Sequence, residues 1–192
     1  MFLTNQLDHP DSKRFNDDRI KLAPITERVE PGKITAEYVV FCQAGDEFDR
    51  AFLTHFYHSL GSETPADLPY CDCEYLETKL DQIKPFFKPK GQSPALLLSV
   101  NYLSRGFIRL QTLEKLWPKI DHTAKLVAQE YDLTLRLCEN HKILRHIPEV
   151  LISQKHLPTS DDPEIQKVLI DFLRRQGHTN IAASKVNAGV RF

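Results

Sequence analysis

Four side chains in the first half of the chain have the residue types of a zinc site. His55 and His58 are three positions apart on a predicted helix, and Cys71 and Cys73 follow as a C-x-C pair. Two imidazoles and two thiolates can close a tetrahedral structural site, but C-x-C is tighter than the usual zinc loop and this order is not that of a standard finger. The alternative is a pair of helix histidines beside two packed cysteines. We predict no metal and no cofactor.

Nucleophilic catalysis has no specific support in the sequence. Eight histidines are present, but there is no G-x-S-x-G nucleophile elbow and no recognisable cysteine signature. The neighbouring carboxylates Asp161 and Asp162 are typical of helix capping. The seven glycines form neither a G-x-G-x-x-G nor a Walker A pattern. We therefore predict that the protein is not an enzyme.

The charge of the chain is near neutral overall but unevenly distributed. The formal net charge is −1, yet residues 43–82 carry nine acidic and two basic side chains, and residues 83–156 carry twelve basic and six acidic ones. A local basic region in a neutral chain is typical of a nucleic-acid footprint. Two ordinary solvated faces of opposite sign give the same pattern, so charge alone leaves both alternatives open.

The most strand-like stretch lies inside this basic region. Ala95–Leu103 and Phe107–Gln111 are predicted to form a β-hairpin, with Gly106 supplying the permissive turn. Arg109 and Gln111 alternate outward, and these side chains pair with guanine and adenine in the major groove. The alternative is the exposed face of an ordinary half-buried hairpin. The predicted DNA contacts, including basic side chains for phosphates, are Arg105, Arg109, Gln111, Lys115 and Lys119.

Periodicity predicts the elements around that hairpin. Strand-forming residues fill Ile34–Cys42, and phenylalanines at helical spacing predict a helix over Asp46–Leu60. A second helix is predicted from Asp72 to Lys84. Apolar residues from Leu113 to Leu144 recur at helical spacing, and Pro118 must start a new helix or kink this one. Asp161 and Asp162 before Pro163 predict the start of a C-terminal helix.

These elements predict one domain with irregular ends. We expect an irregular arm over residues 1–32, a core domain over 33–157, a C-terminal helix over 158–177 and a flexible tail over 178–192. The chain of 192 residues is 41% hydrophobic and 27% charged, which suffices to bury a core. Neither a signal core nor an apolar membrane-spanning run is present. Four scattered cysteines fit a reducing compartment, so we predict a cytoplasmic protein without a membrane partner.

Three separated pieces of the chain share a pattern with a known family. They are the Ile34–Cys42 strand, the segment 67–80 that begins with Asp67-Leu68-Pro69-Tyr70, and the segment 93–119 with the predicted hairpin and the helix after it. Together these pieces resemble the AcaB-like regulators of conjugative plasmids and integrating conjugative elements. The resemblance implies a ribbon-helix-helix fold, in which the sheet forms between two chains, and a role in transcription.

Taken together, the sequence predicts an α+β domain that is mainly helical, a ribbon-helix-helix-like unit with additional helices. The predicted function is a sequence-specific DNA-binding transcriptional regulator of a conjugative mobile element, with its β-ribbon in the major groove. Its expected partners are double-stranded DNA and further copies of itself, as a homodimer or higher homo-oligomer. The alternative is a non-enzymatic protein-interaction subunit of a conjugation or defence assembly, whose acidic region docks a basic partner.

Overall fold

The structure is a computed structural model that describes residues 2–4, 22–24, 30–43, 45–60, 64–77, 81–140, 142–154 and 162–179. Short strands and helices alternate along the described chain. In chain order they are β1 Phe2–Thr4, β2 Leu22–Pro24, β3 Tyr38–Cys42, β4 Glu47–Phe48, α1 Phe52–Leu60, β5 Leu68–Glu77, β6 Gln82–Phe86, α2 Pro94–Leu97, β7 Ile108–Arg109, α3 Leu110–Leu116, α4 Leu126–Glu139, β8 Leu144–Gln154 and α5 Pro163–Arg175.

The strands form two four-stranded mixed sheets. In the first sheet the order is β2-β1-β3-β7, with β1 parallel to both of its neighbours and β7 antiparallel to β3. In the second sheet the order is β4-β8-β5-β6, with β5 and β8 parallel and the two outer strands antiparallel. A parallel pair needs a long crossover connection. Here the chain between β5 and β8 contains the helices α2, α3 and α4.

The predicted strand over Ile34–Cys42 is confirmed for its second half. All five residues of β3 are buried, as expected of a strand that is covered on both faces. The predicted helix over Asp46–Leu60 begins only at Phe52, because Glu47 and Phe48 pair with β8 instead. The Phe52 ring stacks on Phe107 at 4.8 Å and the Phe56 ring packs against it at a tilt of 42° and 4.5 Å, which fixes α1 against the core.

The predicted helix from Asp72 to Lys84 is wrong. Its residues form β5 and β6, an antiparallel hairpin in which Cys73 pairs with Phe86. Tyr75, Leu76 and Ile83 have helical spacing. The run from Leu68 to Cys73 is nevertheless buried throughout, and it pairs with β8 along its length. Tertiary pairing of a buried β-prone run therefore overrides the local helical period.

The predicted hairpin of Ala95–Leu103 and Phe107–Gln111 is also wrong. Its first half begins with the short helix α2, and Ile108 and Arg109 pair with β3 instead. The residues from 101 to 107 form a buried, irregular segment. The hydroxyl of Tyr102 fixes this segment, because it donates to the carbonyl of Gly91 at 2.8 Å and accepts from the amide of Ser93 at 2.9 Å.

The predicted helical pattern from Leu113 to Leu144 is interrupted twice. The helix α3 ends at Leu116, and Pro118 lies in the short 3-10 turn that follows it. After α4, residues 144–154 form the strand β8 rather than more helix. The register of β8 on β5 jumps from the Cys71–Ile147 pair to the Asp72–Val150 pair. Pro148 falls in that bulge, where a residue without a backbone N–H is tolerated.

The predicted C-terminal helix is confirmed. It is α5, and the Asp162 carboxylate caps it by accepting from the backbone N–H of Glu164 at 2.9 Å. Ile165 and Leu169 are buried, and the helix contacts α4. The predicted irregular arm contains the strands β1 and β2. Its remainder up to residue 29, like the predicted tail beyond residue 179, lies outside the described residues.

The prediction of a mainly helical, ribbon-helix-helix-like fold is wrong. The chain is α+β, but its strands form two mixed sheets within one subunit. The stretch that was predicted to form the DNA-reading ribbon contains β7, a two-residue strand that is paired with β3. Within the described ranges, no helix has the length and apolarity that a membrane span requires. The cytoplasmic location and the homodimer stay predictions.

Gly106→Ala is expected to destabilise the domain by about 1–3 kcal/mol through overpacking. A Cβ atom at this position would lie 2.6 Å from Leu68 Cδ1 and 2.9 Å from the carbonyl oxygen of Leu103. Urea denaturation measures the change. Gly32→Ala is the matched control, since nothing lies within 4 Å of a Cβ atom there. Equal stabilities of the two variants would contradict the predicted clash.

Candidate active site

A buried arginine lies between two buried carboxylates. Arg105 Nε makes an ion pair with Asp46 Oδ2, and Arg105 Nη1 lies 2.9 Å from Glu130 Oε2. The backbone N–H of Arg105 also donates to Glu130 Oε1 at 2.9 Å. The side chains of Arg105 and Asp46 are each only 2% exposed, and that of Glu130 is 4% exposed. We refer to Asp46, Arg105 and Glu130 as the buried ion cluster.

Three separate elements position the buried ion cluster. Asp46 follows β3 after Gly45, whose φ of 92° allows the chain to turn. The Asp46 carboxylate also accepts a hydrogen bond from the backbone N–H of Gln43 at 2.8 Å. Arg105 has a φ of 61°, a conformation that few non-glycine residues adopt and that marks functional sites. Glu130 is on α4. The cluster thus lies beyond the carboxyl end of β3.

The pKa values of Arg105 and Glu130 depend on burial and on the charges of the cluster. Burial lowers the pKa of Arg105, but Glu130 and Asp46 outweigh that effect and raise its pKa above the ordinary value, so the guanidinium stays charged. Two ionised carboxylates then leave a buried net charge of −1. Burial raises the pKa of Glu130 despite the opposing charge of Arg105. A carboxyl with a raised pKa in a buried polar cluster is a candidate acid or base.

A second chain of polar contacts leads into the cluster. Asp72 Oδ1 accepts from the backbone N–H of Lys88 at 2.8 Å and lies 2.7 Å from His146 Nε2. Lys88 Nζ donates to the carbonyl of Ser104 at 3.3 Å, and Ser104 precedes the cluster arginine. The His146 ring stacks on Tyr70 at 5.1 Å. The strands β5 and β8 therefore connect through Lys88 to the segment that carries Arg105.

A cleft with charged walls lies elsewhere, between α4, α5 and residues 119–124, and has a volume of about 240 Å³. Its charges are largely paired with one another. Lys167 lies 3.2 Å from Asp121, and Asp132 binds both Arg136 and Arg175 at 3.0 and 3.2 Å. The Lys167–Asp121 pair is well exposed to solvent, whereas the buried ion cluster holds a carboxyl group whose pKa is raised by burial, so the cluster is the better candidate site.

The structure does not bring the four candidate zinc ligands together. His55 and His58 are on α1, whereas Cys71 and Cys73 are buried in β5. Among the described residues, no group of three or more ligand-type side chains is placed to hold a metal ion. Burial raises the pKa of the Cys71 thiol to about 11 and that of Cys138 to about 12. These thiols are therefore protonated at neutral pH and are poor nucleophiles.

The five predicted DNA contacts do not share a surface. Arg105 is 2% exposed and belongs to the buried ion cluster, which removes it from any phosphate surface. Arg109 is half-buried, and its Nε has no partner among the described residues. Gln111 follows it on α3 rather than on a ribbon, so the predicted outward alternation does not occur. The exposed members are Gln111, Lys115 and Lys119.

Sequence reasoning missed Asp46, Glu130 and the Asp72–His146 pair. One local signal was available for Glu130. It lies three positions after Val127 and three before Leu133, so it interrupts the apolar face of a helix. A carboxylate on an apolar face needs a buried partner. No local signal identifies that partner, because Arg105 is 25 positions away.

Comparison with known proteins gives a fold similarity only. No family model matches the sequence, and no curated protein matches it. The solved structures that are similar include Staphylococcus aureus TarS 1–349 in complex with UDP, at a TM-score of 0.53 and 14% identity over 74% of this chain and 42% of that one. TarS 1–349 alone gives a TM-score of 0.51 and 13% identity over 76% and 48%. This chain therefore spans less than half of the TarS structures.

The similarity corrects the predicted function. A likeness to the fold of the TarS structures points away from a DNA-binding transcriptional regulator, so that prediction is wrong. The alternative of a non-enzymatic interaction subunit is not supported by these comparisons either. A likeness at 13–14% identity shows the fold alone, and it does not support the expectation that the protein is not an enzyme. Nothing in the comparisons bears on the resemblance to AcaB-like regulators, which stays a prediction.

Proposed function

We propose that this domain binds a nucleotide-activated sugar and takes part in glycosyl transfer. The observation that carries the proposal is the buried ion cluster at the carboxyl end of β3, in a fold similar to that of TarS, whose crystal structure contains UDP. Fold analogy alone does not assign a reaction. The proposal rests on the fold together with a buried carboxyl group of raised pKa in the cluster beyond the carboxyl end of β3.

The chemistry of glycosyl transfer has a place for that carboxyl group. The hydroxyl oxygen of an acceptor bonds to the anomeric carbon, and the bond from that carbon to the phosphate oxygen breaks. The electron pair leaves with the nucleoside diphosphate, and a general base takes the hydroxyl proton. We assign the base to Glu130, because a base works best when its pKa is near the working pH and burial raises the pKa of Glu130 towards that range.

Arg105 and Asp46 have positioning roles in this proposal. Arg105 holds both oxygens of Glu130, one through its backbone N–H and one through Nη1, so the carboxylate cannot rotate. Asp46 fixes the guanidinium from the other side. A base held in one orientation meets the geometric requirement for proton transfer without a further ordering step.

Ligand-dependent thermal stability tests the proposal. The melting temperature of the full chain is measured with UDP, UDP-glucose, UDP-N-acetylglucosamine and UDP-galactose, with ADP and free glucose as controls. A UDP-sugar at a hundred times its Kd stabilises by about 2.7 kcal/mol, which for a domain of this size raises the melting temperature by about 5–10 °C. Failure of UDP and every UDP-sugar to raise it at millimolar concentrations would overturn the proposal.

A further inference from the structure

Gln154, the last residue of β8, is a buried amide without a partner. Its side chain is 3% exposed, and neither Nε2 nor Oε1 has a hydrogen-bond partner among the residues that the structure describes. Leaving both a donor and an acceptor unsatisfied in the interior is costly, and most buried polar groups avoid it. A buried amide with both functions unused therefore requires an explanation, and a functional role is one of those that apply to native proteins.

The strand registers place Gln154 beside the buried ion cluster. Glu47 of β4 pairs with Ser153 of β8, so one position further along this antiparallel pair Asp46 is adjacent to Gln154. On its other side, β8 pairs with β5 through Cys73–Ile152 and Tyr75–Gln154. Gln154 is thus at the carboxyl end of β8, next to the strand that leads back to Asp46.

The pleat of the sheet also gives the face on which Gln154 lies. Paired residues, and residues two apart on one strand, share a face, so Gln154 is on the same face as Cys73. Cys73 is close enough to Asp46 and Arg105 for their charges to act on its thiol. The opposite face carries Ser153, which donates to the Glu74 carboxylate. The amide of Gln154 is therefore on the face of the sheet that adjoins the cluster.

We propose that Gln154 recognises a hydroxyl of the transferred sugar. This inference rests on the proposed function, in which the sugar lies at the buried ion cluster. A hydroxyl both donates and accepts, and an amide offers one oxygen acceptor and an NH₂ donor, so the two groups satisfy each other. A site that hydrogen-bonds a substrate hydroxyl discriminates strongly against analogues in which that hydroxyl is missing or misplaced. Gln154 thereby sets which sugar is accepted.

Isothermal titration of UDP and of the preferred UDP-sugar into three proteins tests the inference. The proteins are the wild type, Gln154→Met and the control Gln111→Met, which changes an exposed glutamine on α3. We expect Gln154→Met to bind UDP as the wild type does and to bind the UDP-sugar about tenfold more weakly, the loss of one or two hydrogen bonds. The control is expected to bind both ligands unchanged.

Each outcome of the titration decides one question. A Gln154→Met protein that binds the UDP-sugar as tightly as the wild type overturns the role of Gln154 and leaves the proposed function intact. A wild type that binds neither UDP nor any UDP-sugar overturns the proposed function and this inference together. The melting temperature of unliganded Gln154→Met should not fall, because methionine removes an unsatisfied amide. If that variant does not fold, Gln154→Asn, which keeps the amide and shortens its reach, is expected to show the same selective loss.

Discussion

Replacing Arg105 by methionine is expected to destabilise the domain by about 3–5 kcal/mol, because removal of one partner from a buried ionic group leaves uncompensated charge in the interior. Two carboxylates, Asp46 and Glu130, lose their counter-ion in this variant. Methionine retains much of the length of the side chain and leaves the backbone strain at φ 61° in place. Urea unfolding at neutral pH therefore measures the loss of the charge.

Two further variants define that effect. Arg174→Met removes a surface ion pair with Asp171, in which both side chains are well exposed, and exposed pairs contribute about 0–1 kcal/mol. The triple variant Asp46→Asn, Arg105→Met, Glu130→Gln removes all three charges and is expected to recover part of the lost stability. An Arg105→Met protein that is no less stable than Arg174→Met would show that the cluster does not carry buried charge.

Glu130→Gln is expected to lower the rate of glycosyl transfer by about 10²–10⁴-fold, the usual contribution of a positioned general base. The amide oxygen still accepts from one of the two Arg105 N–H groups that bind the carboxylate, whereas the amide NH₂ faces the other, so one hydrogen bond of the site is kept while its ability to take a proton is lost. Release of UDP from a UDP-sugar, with and without an added acceptor, provides the measurement. A variant with wild-type turnover and intact ligand binding would remove Glu130 from the reaction.

The free energy of unfolding is expected to depend on pH through Glu130. Burial raises the pKa of Glu130 in the folded state above its value in the unfolded chain, so the folded state binds the proton more tightly. Its contribution is therefore fully present below the unfolded pKa and is lost as the pH rises through the raised folded pKa. Glu130→Gln lacks this loss. The free energy of unfolding of both proteins is measured in urea from the unfolded pKa of a glutamate to above the folded pKa of Glu130. The difference between Glu130→Gln and the wild type should shift in favour of the variant as the pH rises. A difference that does not change with pH would contradict this prediction.

The sequence predicts those helices and strands whose conformation is determined by residues close together in the chain. The helix α5 begins where an aspartate cap precedes a proline, and both act within one turn. The strand β3 is a run of strand-forming residues. By contrast, β5 contains the same spacing of apolar side chains as a helix, and the partner β8 that makes it a strand enters 74 positions later at the Asp72–His146 contact. Such pairing is decided by the tertiary structure, and a local pattern does not contain it.

The candidate site could be predicted even less well, for the same reason. Arg105 follows Asp46 by 59 positions and precedes Glu130 by 25. In the sequence it is one base of a basic region, and a turn arginine is ordinarily solvated. Only the packed structure shows that two carboxylates enclose it and that its charge is used inside the protein.

The parallel pairing of β5 with β8 has a consequence for folding during synthesis. Parallel strands joined by a long crossover bring together residues that are far apart in sequence. Such contacts form slowly, because the chain loses the entropy of closing the loop before the contacts stabilise it. While the ribosome is still making the crossover, β5 has no neighbour on the edge that β8 later covers, and its apolar residues stay unburied. We therefore expect chains that end before β8 to need chaperone protection, and the site to assemble only after the last strand has left the ribosome.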